Sequence, residues 1–108
     1  MQVVVQAEFS PGGSVRDTIV NDHRLFRYDL TVSEQRRKGR CVGWAKLHGH
    51  FPKVAGAVNI EWMAASSTLL CRIVTRAGDP GPLAGRLIAY LLSPKYRKRL
   101  RAVLITYK

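Results

Sequence analysis

Two tracts of Lys and Arg carry the residues best suited to chemistry in this chain, and that chemistry is the binding of phosphates. The first tract comprises Arg36, Arg37, Lys38, Arg40 and Lys46, and no acid occurs between residues 35 and 60. The second tract comprises Lys95, Arg97, Lys98, Arg99 and Arg101, and no acid follows Asp79. Cationic side chains neutralise phosphates and release their counterions, so two such tracts on one surface would bind a nucleic-acid backbone.

The charge of the whole chain is uneven as well as large. The 108 residues include 18 Lys and Arg against 7 Asp and Glu, a net charge of +11. Residues 1–34 hold three bases and five acids, a net of −2, whereas residues 35–108 hold fifteen bases and two acids, a net of +13. This asymmetry predicts an anionic partner, either nucleic acid (RNA or DNA) or an acidic protein. The alternative is that the charge only keeps the protein soluble.

Two aromatic residues interrupt the basic tracts, and their exposure decides what they do. Trp44 lies within the first tract and Tyr96 within the second. Exposed rings at these positions would stack on unpaired bases. Buried rings would instead anchor the fold, and this interpretation is favoured because large aromatic side chains dominate hydrophobic cores.

The histidines and cysteines form no recognisable metal or catalytic motif. His48 and His50 would share one face of a strand, but no third ligand can be placed beside them, so no metal or cofactor is predicted. Cys41 and Cys71 are not part of a CxxC pair. Their apolar neighbours predict two buried thiols that act as small core residues.

The carboxylates give only weak signs of catalysis. Asp22 precedes His23, a dipeptide typical of a turn before a strand. Glu61 lies on the polar face of a predicted strand, where we expect a cross-strand pair with Arg72 or Arg76. The chain contains no nucleophile elbow and no P-loop. An enzyme is therefore less favoured than a binding protein, and its cleft would have to lie near the two histidines and Glu61.

Alternation of polar and apolar residues predicts five strands. They are expected at Val3–Phe9, Arg24–Ser33, Cys41–His48, Ala57–Ala64 and Thr68–Arg76. The alternation is clearest in the second of these segments, which would place Phe26, Tyr28, Leu30 and Val32 on one face.

Helices are predicted at fewer positions. Residues 82–92 are almost wholly apolar, which predicts a helix buried on more than one side, with a homodimer as one way to cover its outer surface. Residues 15–20 form either a short helix capped by Ser14 or an extended edge. After a basic turn beginning at Ser93, residues 102–107 form either a strand or the end of a longer helix. The strand is favoured because Val, Ile, Thr and Tyr prefer sheets.

Together these patterns predict a single domain, residues 1–108, of the α+β class. A mostly antiparallel sheet of five or six strands would carry one buried helix, about residues 82–92, on one face. The N-terminus lacks signal-peptide features and no apolar run could span a bilayer, which favours a cytoplasmic protein without a membrane partner. We expect a small non-enzymatic module that binds the nucleic-acid backbone. An assembly subunit that docks an acidic protein is the alternative.

Overall fold

The computed structural model describes residues 1–49 and 55–108, and this part of the chain forms one six-stranded antiparallel sheet with helices on one face. The elements are β1 (Gln2–Phe9), α1 (Val15–Val20), β2 (Leu30–Glu34), β3 (Trp44–Gly49), β4 (Ala57–Met63), β5 (Thr68–Val74), α2 (Gly81–Leu91) and β6 (Leu100–Tyr107). Short 3₁₀ turns occupy Leu25–Tyr28, Ala64–Ser66 and Pro94–Tyr96. The strands lie in the order β2-β3-β4-β5-β1-β6. The predicted α+β fold with its antiparallel sheet and buried helix is confirmed.

The core lies between the helices and one face of the sheet. Val5, Ile60 and Cys71, from three neighbouring strands, are fully buried there together with Leu87 of α2. Burying a side chain of the size of Leu87 contributes roughly 2 kcal/mol relative to leaving it in water. We call the opposite side of the sheet the open face, because no helix of the described chain covers it. Most strand residues on that face are polar or only partly buried.

Residues 15–20 form a helix, which decides between the two predicted alternatives. Ser14 caps this helix, since its Oγ accepts a hydrogen bond from the Asp17 N–H at 3.2 Å. Such a cap satisfies one of the N–H groups that a helix leaves unpaired at its first turn. Val15 and Ile19 of the helix are fully buried in the core. The fold therefore has a second, shorter helix beside the predicted one.

The strand predicted for Arg24–Ser33 is wrong over its first half. Leu25–Tyr28 forms a 3₁₀ turn, and β2 begins only at Leu30. Because a 3₁₀ turn repeats every three residues, the alternation that placed Phe26 on the core side fails, and this ring is 56% exposed. Asp29 adopts a left-handed conformation with φ of 56°, which ends the turn before the strand begins.

The third strand also begins later than predicted, at Trp44 instead of Cys41. The Trp44 N–H donates to the Cys41 carbonyl oxygen at 3.2 Å, so residues 41–44 form a turn. Gly43 passes so close to β4 that a Cβ at this position would lie 2.7 Å from the Trp62 carbonyl oxygen. Glycine is thus required for the chain to enter the sheet at this point.

The C-terminal segment forms the strand that its composition favoured. β6 pairs antiparallel with β1, with Val103 opposite Ala7 and Ile105 opposite Val5. No described strand pairs with the outer side of β6, so it is one edge of the sheet. Leu104 and Tyr107 on this edge are 60% and 77% exposed.

Candidate nucleic-acid interface

The first basic tract lies mainly in the connection between β2 and β3, which folds over the open face. The connection contributes four exposed cations and β3 contributes one that is partly buried: Arg36, Arg37, Lys38, Arg40 and Lys46. The guanidinium carbons of Arg37 and Arg40 lie 5.1 and 5.3 Å from the centre of the Trp44 ring. Cation–π attraction to one ring therefore orients two cations of the tract.

Both aromatic residues within the tracts are buried. Trp44 belongs to the open face, yet it is only 1% exposed because the basic connection covers it. Its indole N–H donates to Asn59 Oδ1 on β4 at 3.1 Å. Tyr96 is 3% exposed and belongs to the core between sheet and helices. The favoured interpretation of both rings as anchors is confirmed, and neither ring is available to stack on a base.

A buried arginine holds the basic connection in place, and sequence analysis did not identify it. Arg16 of α1 is 4% exposed. Its Nε donates to the Trp44 carbonyl oxygen at 3.0 Å, and its Nη2 donates to the Gln35 carbonyl oxygen. Its Nη1 donates to Asp17 Oδ1 at 2.9 Å. One guanidinium thus binds both ends of the connection, which only the planar, multi-donor fork of arginine can do.

The second basic tract lies in the connection from α2 to β6. Arg99 donates to the carbonyl oxygens of Ser10 and Gly13, at 3.0 and 3.1 Å, and so ties the loop after β1 to this connection. Lys95 Nζ lies 3.7 Å from Asp22 Oδ2. The remaining cations of the tract are exposed: Arg97, Lys98 and Arg101. One of the five predicted phosphate ligands, Arg99, therefore already holds parts of the fold together.

The two tracts do not form one continuous patch. The first lies beside β2 and β3 at one edge of the sheet, and the second leads into β6 at the other edge. Neighbouring strands are about 4.8 Å apart, so β3 and β6 are separated by about 19 Å across the sheet. No single phosphate can contact both tracts.

The open face between the edges carries cations that sequence analysis did not assign to the site. Arg72 of β5 lies two strands from Lys46, because both residues are in register with Asn59 of β4. Arg76 lines a hollow of about 570 Å³ together with Lys46 and two arginines of the first tract. Lys108 and Arg72 line a second hollow of about 500 Å³. The signal was present, since alternation already placed Arg72 and Arg76 opposite the core side of their strand.

The carboxylates of the open face are few, and two of them have partners. Glu34 accepts hydrogen bonds from Arg37, which lowers the pKa of this carboxyl group. The expected cross-strand pair of Glu61 with Arg72 or Arg76 does not form, because the register places Leu70 opposite Glu61. Its Oε1 accepts a hydrogen bond from the Cys41 thiol, with a sulfur–oxygen distance of 3.2 Å.

The two cysteines differ in exposure, and only one matches its prediction. Cys71 is fully buried, as expected, and burial raises the pKa of its thiol well above the usual range. Cys41 is exposed, because it lies in the turn before β3 instead of within the strand. The hydrogen bond to Glu61 raises the pKa of the Cys41 thiol, with a further contribution from desolvation.

We expect Cys41 alone to be alkylated in the folded protein, and more slowly than a free thiol at the same pH. Alkylation requires the thiolate, which the neighbouring Glu61 carboxylate disfavours. Glu61→Gln should therefore accelerate iodoacetamide labelling of Cys41 severalfold, measured by mass spectrometry at pH 8. Glu8→Gln, which removes an exposed carboxylate on another strand of the same face, is the matched control. Equal labelling rates in the two variants would contradict the proposed contact.

Only one histidine of the predicted pair lies within the described residues. His48 lies on β3 and lines an open hollow of about 390 Å³ with Ser33, Glu34 and Lys46. His50 lies outside the described residues. Within residues 1–49 and 55–108, no group of His, Cys, Asp and Glu is arranged to hold a metal ion.

None of the described helices has the length and apolar character needed to cross a membrane. Comparison with protein-family models, with curated proteins and with solved structures finds no match for this chain.

Proposed function

We propose that the protein binds nucleic acid across the open face and contacts mainly the phosphate backbone. The observation that carries this proposal is a set of six cations on or beside this face: Arg37, Arg40, Lys46, Arg72, Arg76 and Lys108. The described strands of the face carry three carboxylates, Glu8, Glu34 and Glu61, and two of these already accept hydrogen bonds. The local excess of positive charge would attract a polyanion.

The burial of the aromatic residues favours backbone contacts over base recognition. No exposed aromatic ring lies on the described strands of the open face, so stacking on bases has no platform there. Ammonium and guanidinium groups that reach phosphates carry no sequence information. A nucleic-acid strand that crossed the sheet would pass from the first tract over Arg72 toward β6 and the exposed cations of the second tract. The geometry thus fits sequence-independent binding of RNA or DNA.

Replacing Lys46 and Arg72 by Glu should weaken nucleic-acid binding by about tenfold or more at about 100 mM salt, because two phosphate contacts become repulsive. Binding of a fluorescent oligonucleotide would be followed by anisotropy over a series of salt concentrations. With six contacts, log affinity should fall with log salt at a slope of about −4 on single strands and about −5 on duplex DNA. The double variant should reduce the magnitude of this slope by about 2.

The matched control is Arg97→Glu with Lys98→Glu, which makes the same change of charge in the second tract. We expect this control to lose less affinity, since those side chains lie beyond the edge of the open face. Equal losses would show that net charge, and not the open face, governs binding. Absence of binding at low salt, where electrostatic attraction is strongest, would exclude the proposal altogether.

An acidic protein is the second candidate partner, and one feature of the open face favours it. Val74 and Leu104 are 40% and 60% exposed among the cations. Interfaces between proteins combine such apolar contacts with a charged rim. A chain that binds no oligonucleotide at low salt but binds an acidic polypeptide, with loss of binding in the Lys46 and Arg72 double variant, would support this candidate.

A further inference from the structure

A second concave site lies on the helix side of the sheet, away from the open face. It is a pocket of about 580 Å³ between the end of α1, the 3₁₀ turn 25–28 and the end of α2. The pocket is lined by Asp22, Arg24, Arg27, Tyr90 and Lys95, among others. Its volume lies within the range of small-molecule sites.

The inner wall of this pocket is a chain of hydrogen bonds between buried side chains. The Tyr90 hydroxyl donates to Asp22 Oδ2 at 2.7 Å and lies 2.7 Å from the Tyr96 hydroxyl. Because the Tyr90 hydroxyl has one proton and donates it in the hydrogen bond to Asp22, the Tyr96 hydroxyl must be the donor in its hydrogen bond with Tyr90. The Arg24 N–H donates to Asp22 Oδ1 at 2.9 Å. The hydrogen bonds of Arg24, Tyr90 and Tyr96 thus all lead to the Asp22 carboxylate.

These hydrogen bonds stabilise the negative charge of Asp22 and do not favour proton transfer near neutral pH. Burial alone would raise the pKa of Asp22, but the hydrogen bonds from Arg24 and Tyr90 and the charge of Lys95 outweigh it and hold this pKa below its usual value. Burial and the neighbouring groups raise the pKa of Tyr90 far above its usual value. Both pKa values are thus further from pH 7 than the usual values of these groups. A general acid or base works best with a pKa near the working pH.

The mouth of the pocket is positively charged. Arg27 accompanies Arg24 at a spacing of three residues, and the Arg27 N–H donates to the Arg24 carbonyl oxygen at 3.0 Å. Both arginines line the pocket, and both are exposed. Neither arginine forms an ion pair with a carboxylate of the described chain. The Lys95 side chain is 44% exposed beside Asp22, whose side chain is only 4% exposed.

These observations point to an anion as the ligand. The Asp22 side chain is only 4% exposed and its carboxylate already accepts hydrogen bonds from the Arg24 N–H and the Tyr90 hydroxyl, so it repels an incoming anion little. Two arginines and a lysine remain at the mouth. Tyr28, which lines the pocket and packs edge-to-face on Tyr90 with ring centres 5.4 Å apart, offers an aromatic surface beside them.

We propose that this pocket binds a small phosphate monoester, with the phosphate held by Arg24, Arg27 and Lys95. The guanidinium fork matches the geometry of phosphate oxygens and forms charge-assisted hydrogen bonds to them. The organic part of the ligand lies against Tyr28. The site is separate from the open face and does not depend on nucleic-acid binding there.

The test is a titration of the ¹⁵N-labelled protein with AMP, inorganic phosphate and adenosine, followed by amide chemical shifts at low ionic strength. AMP should cause saturable shifts in residues 21–28 and 93–96, phosphate weaker shifts at the same amides, and adenosine almost none. Arg27→Gln should weaken AMP binding about tenfold, as expected for the loss of a charge-assisted contact. Lys95→Gln, the second variant, should weaken it similarly.

Arg97→Gln is the matched control, because it removes an exposed cation of the connection that contains Lys95 without lining the pocket. This control should bind AMP as the parent protein does. The proposal is overturned if AMP shifts spread over both faces without saturation, or if Arg27→Gln and Arg97→Gln bind AMP equally. Repeating the titration in the Lys46 and Arg72 double variant separates the two sites, because pocket binding should persist there.

Discussion

Replacing Arg16 by Met is expected to lower the free energy of unfolding by about 3 kcal/mol. Methionine retains the apolar stem of the side chain but removes the donors to the carbonyl oxygens of Trp44 and Gln35. A buried acceptor left without its hydrogen bond costs about 1–3 kcal/mol. Urea denaturation followed by tryptophan fluorescence would measure the loss.

Two further variants make this result interpretable. Arg16→Lys keeps the charge, but one ammonium group cannot replace the fork that reaches both ends of the connection, so an intermediate loss is expected. Arg72→Met removes an exposed arginine and should change stability by less than about 0.5 kcal/mol. If Arg16→Met were as stable as Arg72→Met, the two carbonyl contacts would contribute nothing to the fold.

Asp22→Asn should destabilise the protein by about 2 kcal/mol at pH 7, because hydrogen bonds to a charged group are worth more than hydrogen bonds to an amide. The pKa of Asp22 is lower in the folded protein than in the unfolded chain. Its carboxylate therefore stabilises the fold above the unfolded pKa of about 3.9, and this contribution is lost as the pH falls through the folded value. The difference between variant and parent should shrink accordingly below about pH 4.

Denaturation at a series of pH values would follow this difference, with Glu8→Gln as the control for loss of an exposed carboxylate. The control should show little difference from the parent at any pH. A gap between Asp22→Asn and the parent that stays constant down to acidic pH would contradict the contribution of the charge. In that case steric effects of the amide would account for the loss.

The positions of most strands and of the long helix follow largely from patterns that short windows of sequence contain. β1, β4 and β5 carry apolar residues at every second position on their core side, and α2 is apolar on several sides, so these elements were predictable to within about two residues at either end. The exception between residues 24 and 29 has a local cause. Its alternation of apolar residues is compatible with a strand, but the Asp22 side chain binds the Arg24 N–H and Asp29 turns left-handed, and both features favour a turn.

The site was predictable in its charge and not in its arrangement. The tracts were visible because their residues are close together in sequence, whereas Arg72 and Arg76 come close to the first tract only through strand pairing. Arg16 carries no local sign of burial, since its partners are backbone carbonyls on a distant segment. The pocket on the helix side was equally hidden, because Asp22 and Tyr90 meet only in the folded chain.

The place of β1 within the sheet has a consequence for how the chain acquires its structure. β1 precedes the other strands, yet Val5 pairs with Cys71 on one side and with Ile105 on the other. Loops spanning most of the chain must close before β1 gains either neighbour, and topologies of this kind fold in milliseconds to seconds instead of microseconds. During synthesis on the ribosome, the backbone N–H and C=O groups on both sides of β1 have no strand partner until β5 has emerged. The yield of native protein therefore depends on what shields this strand during synthesis.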